Sequence, residues 1–421
     1  STGPCMQERI DTLMPDDPRR ALLRICQSAI AAVHGRNRVR DYLQQYQISA
    51  PVFLLSIGKA ACAMTQGAHE VLGASIVDAL VVTKQGHAES LPWPVLEAGH
   101  PLPDEQSLAA GQRLIDFAAA IPSDATVLVL LSGGASALVE ALPEGMDLTQ
   151  LRALNDWLLA SGLDIVAMNR IRKRLSRIKG GRLARLLAPR PVLCLAISDV
   201  PGDDPRAIGS GPLVADSSLQ AASDSTGLPA VVAEALRHSP PAPAADDVCF
   251  HKVQFEIIAR LDDAKRAAAE AARQLGYRVT LHPEFIEGDA LVAGTRLAQT
   301  LLAAPPGEVQ VWGGETTIKL PPHPGQGGRN QSLALAAALA LCKQEKIWFL
   351  SAGTDGTDGP TPDAGALVDG GTVARGEADG MSARQALAAA DAGKFLAASG
   401  DLIQTGATGT NVMDLMLGLR A

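Results

Sequence analysis

The chain has 421 residues, too many for one compact core, so two or three domains are expected. Hydrophobic residues at 47% and charged residues at 19% exclude a disordered chain, and aromatics at 3% leave too few rings for a platform that stacks single-stranded nucleic acid. A net charge of −8, from 45 acidic against 37 basic residues, disfavours general binding to nucleic acid or acidic membrane.

Leu22, Leu23, Cys26 and Ile30 at helical spacing predict a helix over 17–33. An apolar run at 52–55 predicts a strand, followed by a helix over 58–72 and a short strand at 79–83. A helix over 107–121 leads into a strand at 126–131. Helical patterns then cover 148–159 and 166–187, the second interrupted by Gly180-Gly181, and a strand follows at 191–197. Strands alternating with helices of this length indicate βαβ units and a mainly parallel sheet. The Pro-rich stretch 239–246 reads as a linker and places a domain boundary there, giving domains 1–240 and 241–421. Beyond it, strands are expected at 253–259, 277–281, 309–312 and 346–350. Helices are expected at 262–275, 288–304, 331–341, 379–388 and 410–419.

Six cysteines without a CxxC pair read as reduced, mostly buried thiols. No apolar run approaches the ~20 residues of a membrane span, and the N-terminus lacks a basic-then-apolar signal pattern. A cytoplasmic protein is expected.

Five apolar strands run straight into loops of glycine and small polar residues. These are Ser56-Ile-Gly-Lys59, Ser132-Gly-Gly-Ala-Ser136, Ser198-Asp-Val-Pro-Gly-Asp-Asp204, Gly313-Gly-Glu-Thr-Thr317 and Ser351-Ala-Gly-Thr-Asp-Gly-Thr-Asp-Gly359. Glycine lets backbone N–H groups approach anionic oxygens closely, so the repetition points to one phosphate-handling site at strand ends. Lys59 stands where a strand turns into a helix and could reach a phosphate there. The loop is not a Walker A motif, because Phe53 and Ala60 occupy two of its required positions. Ser132, Gly133, Gly134 and Ser136 supply amides and hydroxyls, although a plain tight turn explains them equally well.

Seven basic residues fall within 169–182; a solvated helix face is the ordinary explanation, and Lys179 with Gly180-Gly181 is the part favoured for an anion. Asp199 is favoured as a ligand for Mg²⁺ or a substrate hydroxyl, and Asp203 and Asp204 as turn residues. Gly313, Gly314, Glu315, Thr316, Asn330 and Thr354 belong to the C-terminal loops. Arg329 opens a helix beside flexible glycines, where its fork-shaped guanidinium suits carboxylate or phosphate oxygens. Asp355 and Asp358 superficially resemble a calcium loop, but Ala366 takes the position of the required Glu, so Mg²⁺ or a hydroxyl suits them better. His87, His100 and His323 lie in loops and are assigned no chemistry.

Taken together, these loops resemble the class II glycerate kinases, the glycerate 2-kinases that carry a C-terminal MOFRL domain. The resemblance rests on Ser56-Ile-Gly-Lys-Ala60, Gly99-His-Pro-Leu-Pro-Asp104, Leu131-Ser-Gly-Gly-Ala-Ser136, Lys179-Gly-Gly181, Ser198-Asp-Val-Pro-Gly-Asp203, Gly209-Ser-Gly-Pro212, Gly313-Gly-Glu-Thr316, Gly327-Gly-Arg-Asn-Gln331 and Thr354-Asp-Gly-Thr-Asp-Gly359. It implies an α/β fold of two domains: an N-terminal Rossmann-like, doubly wound, mainly parallel sheet and a smaller C-terminal α/β domain with the site in the cleft between them. It also implies ATP-dependent phosphorylation of D-glycerate to 2-phosphoglycerate. The family takes the residues matching Lys59 and Arg329 as active-site residues, and its members are often labelled hydroxypyruvate reductases of tartrate degradation.

On this basis Lys59 is expected to neutralise the transferring phosphoryl group, and Arg329 to grip that group or the glycerate carboxylate. The amides of Gly133, Gly134, Gly180 and Gly181 are expected to cradle ATP, and Asp199, Asp355 and Asp358 to hold Mg²⁺ or orient the C2 hydroxyl. A homodimer is compatible with this reading; nucleic-acid and membrane partners are not expected. A nicotinamide-dependent hydroxypyruvate reductase is the rival, and it would need a GxGxxG fingerprint that the chain lacks. A non-catalytic sensor of a phosphorylated metabolite is the third alternative.

Overall fold

In a computed structural model that describes residues 4–220 and 227–421, the chain divides into two compact units. One is Gly35–Ile258; the other joins Ser1–His34 to Ala259–Ala421. The sequence reading places the division at 240/241, whereas the packing places it after the strand that follows the Pro-rich stretch. That strand pairs with the first sheet instead of starting a new domain, and the helix Pro18–Ala32 packs on the helix Leu261–Gln274.

The Gly35–Ile258 unit is built on a six-stranded sheet. Its strands are β1 (Val52–Ile57), β2 (Ile76–Lys84), β3 (Val95–Ala98), β4 (Thr126–Leu131), β5 (Val192–Ile197) and β6 (Val253–Ala259), in the order β3-β2-β1-β4-β5-β6. Strands β1 to β5 are parallel to one another. Every residue of β5 is buried, and so is all of β4 beyond Thr126. Burial on both faces is what continuous Val/Leu runs require of a parallel sheet with helices on each side. The chain order reverses between β1 and β4, which makes their carboxyl ends a topological switch point. The helix Glu105–Ala120 packs Leu114 and Ala118 into the same core as Val127, Val129 and Leu183. Asp104 starts that helix by accepting from Ser107 N at 2.9 Å, while Ser107 Oγ donates back to Asp104.

The second unit holds a mixed sheet of β7 (Arg278–Ile286), β8 (Glu308–Gly314), β9 (Ile347–Gly353), β10 (Gly365–Asp369), β11 (Leu402–Ile403) and β12 (Asp414–Arg420), ordered β11-β10-β9-β12-β8-β7. Strand β12 runs antiparallel to both β8 and β9, so those two point the same way and their glycine loops leave from one edge. The segment expected as a helix at 410–419 is this central strand. Leu415, Met416, Leu417 and Leu419 are all buried, a run that a strand covered on both faces shares with a buried helix. The Ala/Leu-rich helix Arg329–Ala340 is buried on nearly every side, from Asn330 to Ala338, as expected for a helix without a polar face. The stretch expected as one helix over 166–187 is two, Ile165–Arg174 and Arg182–Leu187, separated where Gly180 and Gly181 take positive φ. The six cysteines form no disulfide, and four are buried. Among the described residues no helix is long and apolar enough to cross a membrane.

Candidate active site

At the switch point the β1 loop is pinned from several sides. Gly58 N donates to Val82 O at 3.1 Å, Thr83 Oγ1 donates to Gly58 O at 3.0 Å, and Ala60 N donates to Ser132 Oγ at 3.1 Å. Lys59 N donates to Gly133 O at 2.9 Å, tying the β1 loop to the β4 loop. Gly58 has φ +138, and a methyl group built on it would lie 2.0 Å from Ser132 Oγ and 2.6 Å from Ser132 O, so only glycine fits. Lys59 is thereby held partly exposed between buried neighbours at the carboxyl ends of β1 and β4. Its Cγ lies 3.5 Å, and His100 Nε2 3.3 Å, from where a methyl group on Gly134 would sit. His100, assigned nothing from sequence, thus stands beside Lys59 on this loop.

Ser136 Oγ is 2.6 Å from Ser210 Oγ. A cavity of about 260 Å³ adjoins this pair, with Pro101, Glu140, Asn155 and Arg172 also on its walls. Strand β5 delivers Asp199 two residues past Ile197, and Ala196 is level with Leu131 of β4.

The basic stretch proves to be bracing. Lys179 is buried, with Nζ 2.5 Å from Glu140 Oε2, so it is not placed to hold ATP. Gly180 N donates to Ser210 O at 3.0 Å and Gly181 N to Gly211 O at 2.8 Å, so neither amide is directed at a ligand. Lys173 bonds Asp216 at 2.9 Å and Arg206 O at 2.6 Å. Arg182 donates to the carbonyls of Lys173, Lys179 and Pro240. Buried cations need such partners, and carbonyl-rich turns provide them.

In the second unit Arg329 is the first residue of its helix. Its Nε donates to Asp414 Oδ2 at 2.6 Å and its Nη2 to Asp414 Oδ1 at 3.0 Å, while Glu315 Oε1 is 3.0 Å from Nη2. Burial opposes the guanidinium charge, but the adjoining Asp414 carboxylate outweighs it and holds Arg329 above its ordinary value. Asp414 is the first residue of β12 and sits level with Gly314 and Gly353 of its neighbours. Sequence reasoning missed it, because the segment was read as a helix; the lone acid ahead of an apolar run was the available signal.

Asp358 caps the same helix from a distance. Its Oδ1 accepts from Asn330 N at 2.9 Å and its Oδ2 from Gln331 N at 2.8 Å. The N-cap residue is Gly328, which has no side chain to do this, and a methyl group there would lie 2.4 Å from Asp358 Cγ. Burial pushes Asp358 up to about 7, against the pull of the two helix amides. Asp358 is therefore a buried cap and does not fit the expected metal role. Asn330 is likewise interior, with Oδ1 accepting from Ser351 Oγ at 2.7 Å, and Thr354 Oγ1 donates to Met413 O at 2.7 Å. Gly313 and Gly314 lie within β8, facing Leu415 and Asp414, rather than in a loop. Thr316 Oγ1 is buried without a hydrogen-bond partner.

Among the described residues no three His, Cys, Asp or Glu side chains gather into a metal-binding group. Of the three expected metal carboxylates, Asp199 and Asp355 fit a hard cation that keeps water and phosphate oxygens and needs only one or two carboxylates. Asp199 is partly exposed at the end of β5, and Asp355, just past β9, is also partly exposed.

A doubly wound sheet with lysine and glycine loops at its switch point, followed in the chain by a mixed-sheet unit with an arginine at a helix start, defines a two-unit α/β protein. Residues 21–229 match the family described as Domain of unknown function (DUF4147), and residues 308–414 match the MOFRL family. The chain is 36% identical to a D-glycerate 2-kinase of Thermotoga maritima over 96% of its own length and 99% of that protein's. A relative from Agrobacterium vitis, 37% identical over 86% of this chain and 97% of its own, carries a provisional hydroxypyruvate reductase name. A solved structure of glycerate kinase from Thermotoga maritima superposes with a TM-score of 0.81 at 36% identity, covering 94% of this chain and 98% of that one. The chain belongs to the glycerate 2-kinase family.

Proposed function

We propose that the protein transfers the terminal phosphoryl group of ATP to the C2 hydroxyl of D-glycerate, giving 2-phosphoglycerate and ADP. The observation that carries this is Lys59, fixed at the switch point by Gly58 and the Ser132–Gly133 backbone in a chain of this family. The C2 oxygen forms a bond to the γ-phosphorus as the bond from that phosphorus to ADP breaks, and the hydroxyl proton is released. Such a transition state spreads negative charge over the phosphoryl oxygens, and positioned cations and amides stabilise it.

Lys59 neutralises the moving phosphoryl group from the first unit, with the amides of Gly133 and Gly134 as further donors. Within the second unit Arg329 presents a guanidinium for an anionic group. Asp414 and Glu315 orient it through Nε and Nη2, which leaves Nη1 for a phosphoryl oxygen. Asp199 or Asp355 would hold Mg²⁺, which when bound neutralises ATP phosphate charge.

A coupled assay tests the reading. ADP release that requires D-glycerate, and that falls by orders of magnitude in Lys59→Ala and Arg329→Ala with thermal unfolding unchanged in Lys59→Ala, is the expected result. NADH oxidation with hydroxypyruvate and no ADP release would overturn it in favour of the reductase.

A further inference from the structure

Arg172 differs from its basic neighbours in what holds it. Lys173 and Lys179 are matched by Asp216 and Glu140, and Arg174, Arg177 and Arg182 donate to backbone carbonyls. Arg172 donates from Nε to Asn155 Oδ1 at 3.1 Å and from Nη1 to Asn169 Oδ1 at 3.2 Å. Both acceptors are neutral amide oxygens. They orient the guanidinium and leave its charge intact. Among the described residues no carboxylate forms an ion pair with Arg172. Burial draws it below the ordinary guanidinium value with no acid opposing the pull.

This cation lines the cavity of about 260 Å³. The one carboxylate on its walls, Glu140, is taken up by Lys179 at 2.5 Å and by Ser176 Oγ at 2.6 Å. The charge left over is Arg172's, in a half-enclosed space where an unmatched cation gains most from an anion. Ser136 and Ser210 also line this cavity. Ser136 ends the β4 loop, and the wall residue Pro101 follows His100, which flanks Gly134 together with Lys59. The cavity wall is thus continuous with the loop that holds Lys59. Its volume suits a molecule of a few carbons and is too small for a whole nucleotide.

We propose that this cavity is the acceptor subsite, in which Arg172 receives the carboxylate of a small hydroxy acid while the Ser136–Ser210 pair receives its hydroxyl oxygens. The assignment deepens the kinase reading and rests on it. It moves recognition of the acid from Arg329, whose guanidinium already carries two carboxylates, to Arg172.

Steady-state kinetics with D-glycerate and ATP test it in two variants. Arg172→Gln removes the charge. Asn155→Asp sets a carboxylate against Arg172 and cancels the charge with almost no change of shape. The KM for glycerate is expected to rise by about 50-fold in the first and at least about tenfold in the second, with the KM for ATP within about twofold of wild type. Glyceramide, the neutral amide, should be a poor acceptor for the wild type, and Arg172→Gln should lose that discrimination. An unchanged glycerate KM in Asn155→Asp overturns the proposal, and this variant decides the matter if Arg172→Gln does not fold. Should the wild type transfer no phosphoryl group, the kinase reading fails separately. Calorimetric titration of D-glycerate then decides: binding by wild type that Asn155→Asp abolishes supports the subsite, whereas no binding, or equal binding in both, sinks it.

Discussion

Arg329 and Asp414 meet fork against fork, Nε to Oδ2 at 2.6 Å and Nη2 to Oδ1 at 3.0 Å, with Asp414 wholly buried and Arg329 partly exposed. The first residue of a helix is locked to the first residue of a strand, and this fixes where the guanidinium points. Charge-assisted pairs of this geometry are the strong ones. Asp414→Asn keeps an acceptor but loses the charge, and it should lower stability by about 2 kcal/mol. Turnover should fall in parallel, because the arginine loses its orientation. Urea unfolding and steady-state rates of the same preparation check both.

Gly58→Ala should destabilise the first unit by about 2–4 kcal/mol, since the new methyl group meets Ser132 at a φ of +138. Adding Ser132→Ala should not restore it. The methyl group would still lie 2.6 Å from the Ser132 carbonyl oxygen, which that change leaves in place. Thermal unfolding of the single and double variants gives the answer.

Stability should fall as pH rises from about 4 to about 7. Asp358 is raised by burial to about 7 in the fold, so over that window the folded chain binds a proton that the unfolded chain has released. Asp204, lowered by Arg206, acts oppositely but only in more acid solution. The slope should approach about 1.4 kcal/mol per pH unit and become shallower in Asp358→Asn. Denaturant midpoints taken across the window measure it.

Lys179→Met should strand Glu140 as a buried unpaired charge and lower stability by about 3 kcal/mol. Changing both residues, with Glu140→Gln added, should recover most of the loss. ATP affinity, read as KM, should move by less than about threefold in the double variant, because Lys179 braces the fold and does not meet the nucleotide.

Much of the first unit was legible in the chain. Buried parallel strands announce themselves as Val/Leu runs, and the glycine clusters after 57, 131 and 197 mark where those runs end. Lys59 is singled out by that logic, and it does lie just past the end of β1. Its neighbour His100 is not singled out, since nothing in sequence spacing brings residue 100 beside residue 134. The 170–182 stretch misled in part because charge is visible in a sequence and its partner is not: Glu140 and Asp216 lie dozens of residues away. The same blindness hid Asp414, and it let Asp358 pass for a metal ligand when a glycine N-cap had left the helix in need of a distant carboxylate. The first 34 residues joined the C-terminal half through an amphipathic helix whose apolar face does not say which core it serves.

The most direct test is to identify the product by phosphorus and carbon NMR after incubating the protein with ATP, Mg²⁺ and D-glycerate. The account predicts ADP and 2-phosphoglycerate in equal amounts. No phosphorylated acid, or phosphate carried on the C3 oxygen, would contradict it.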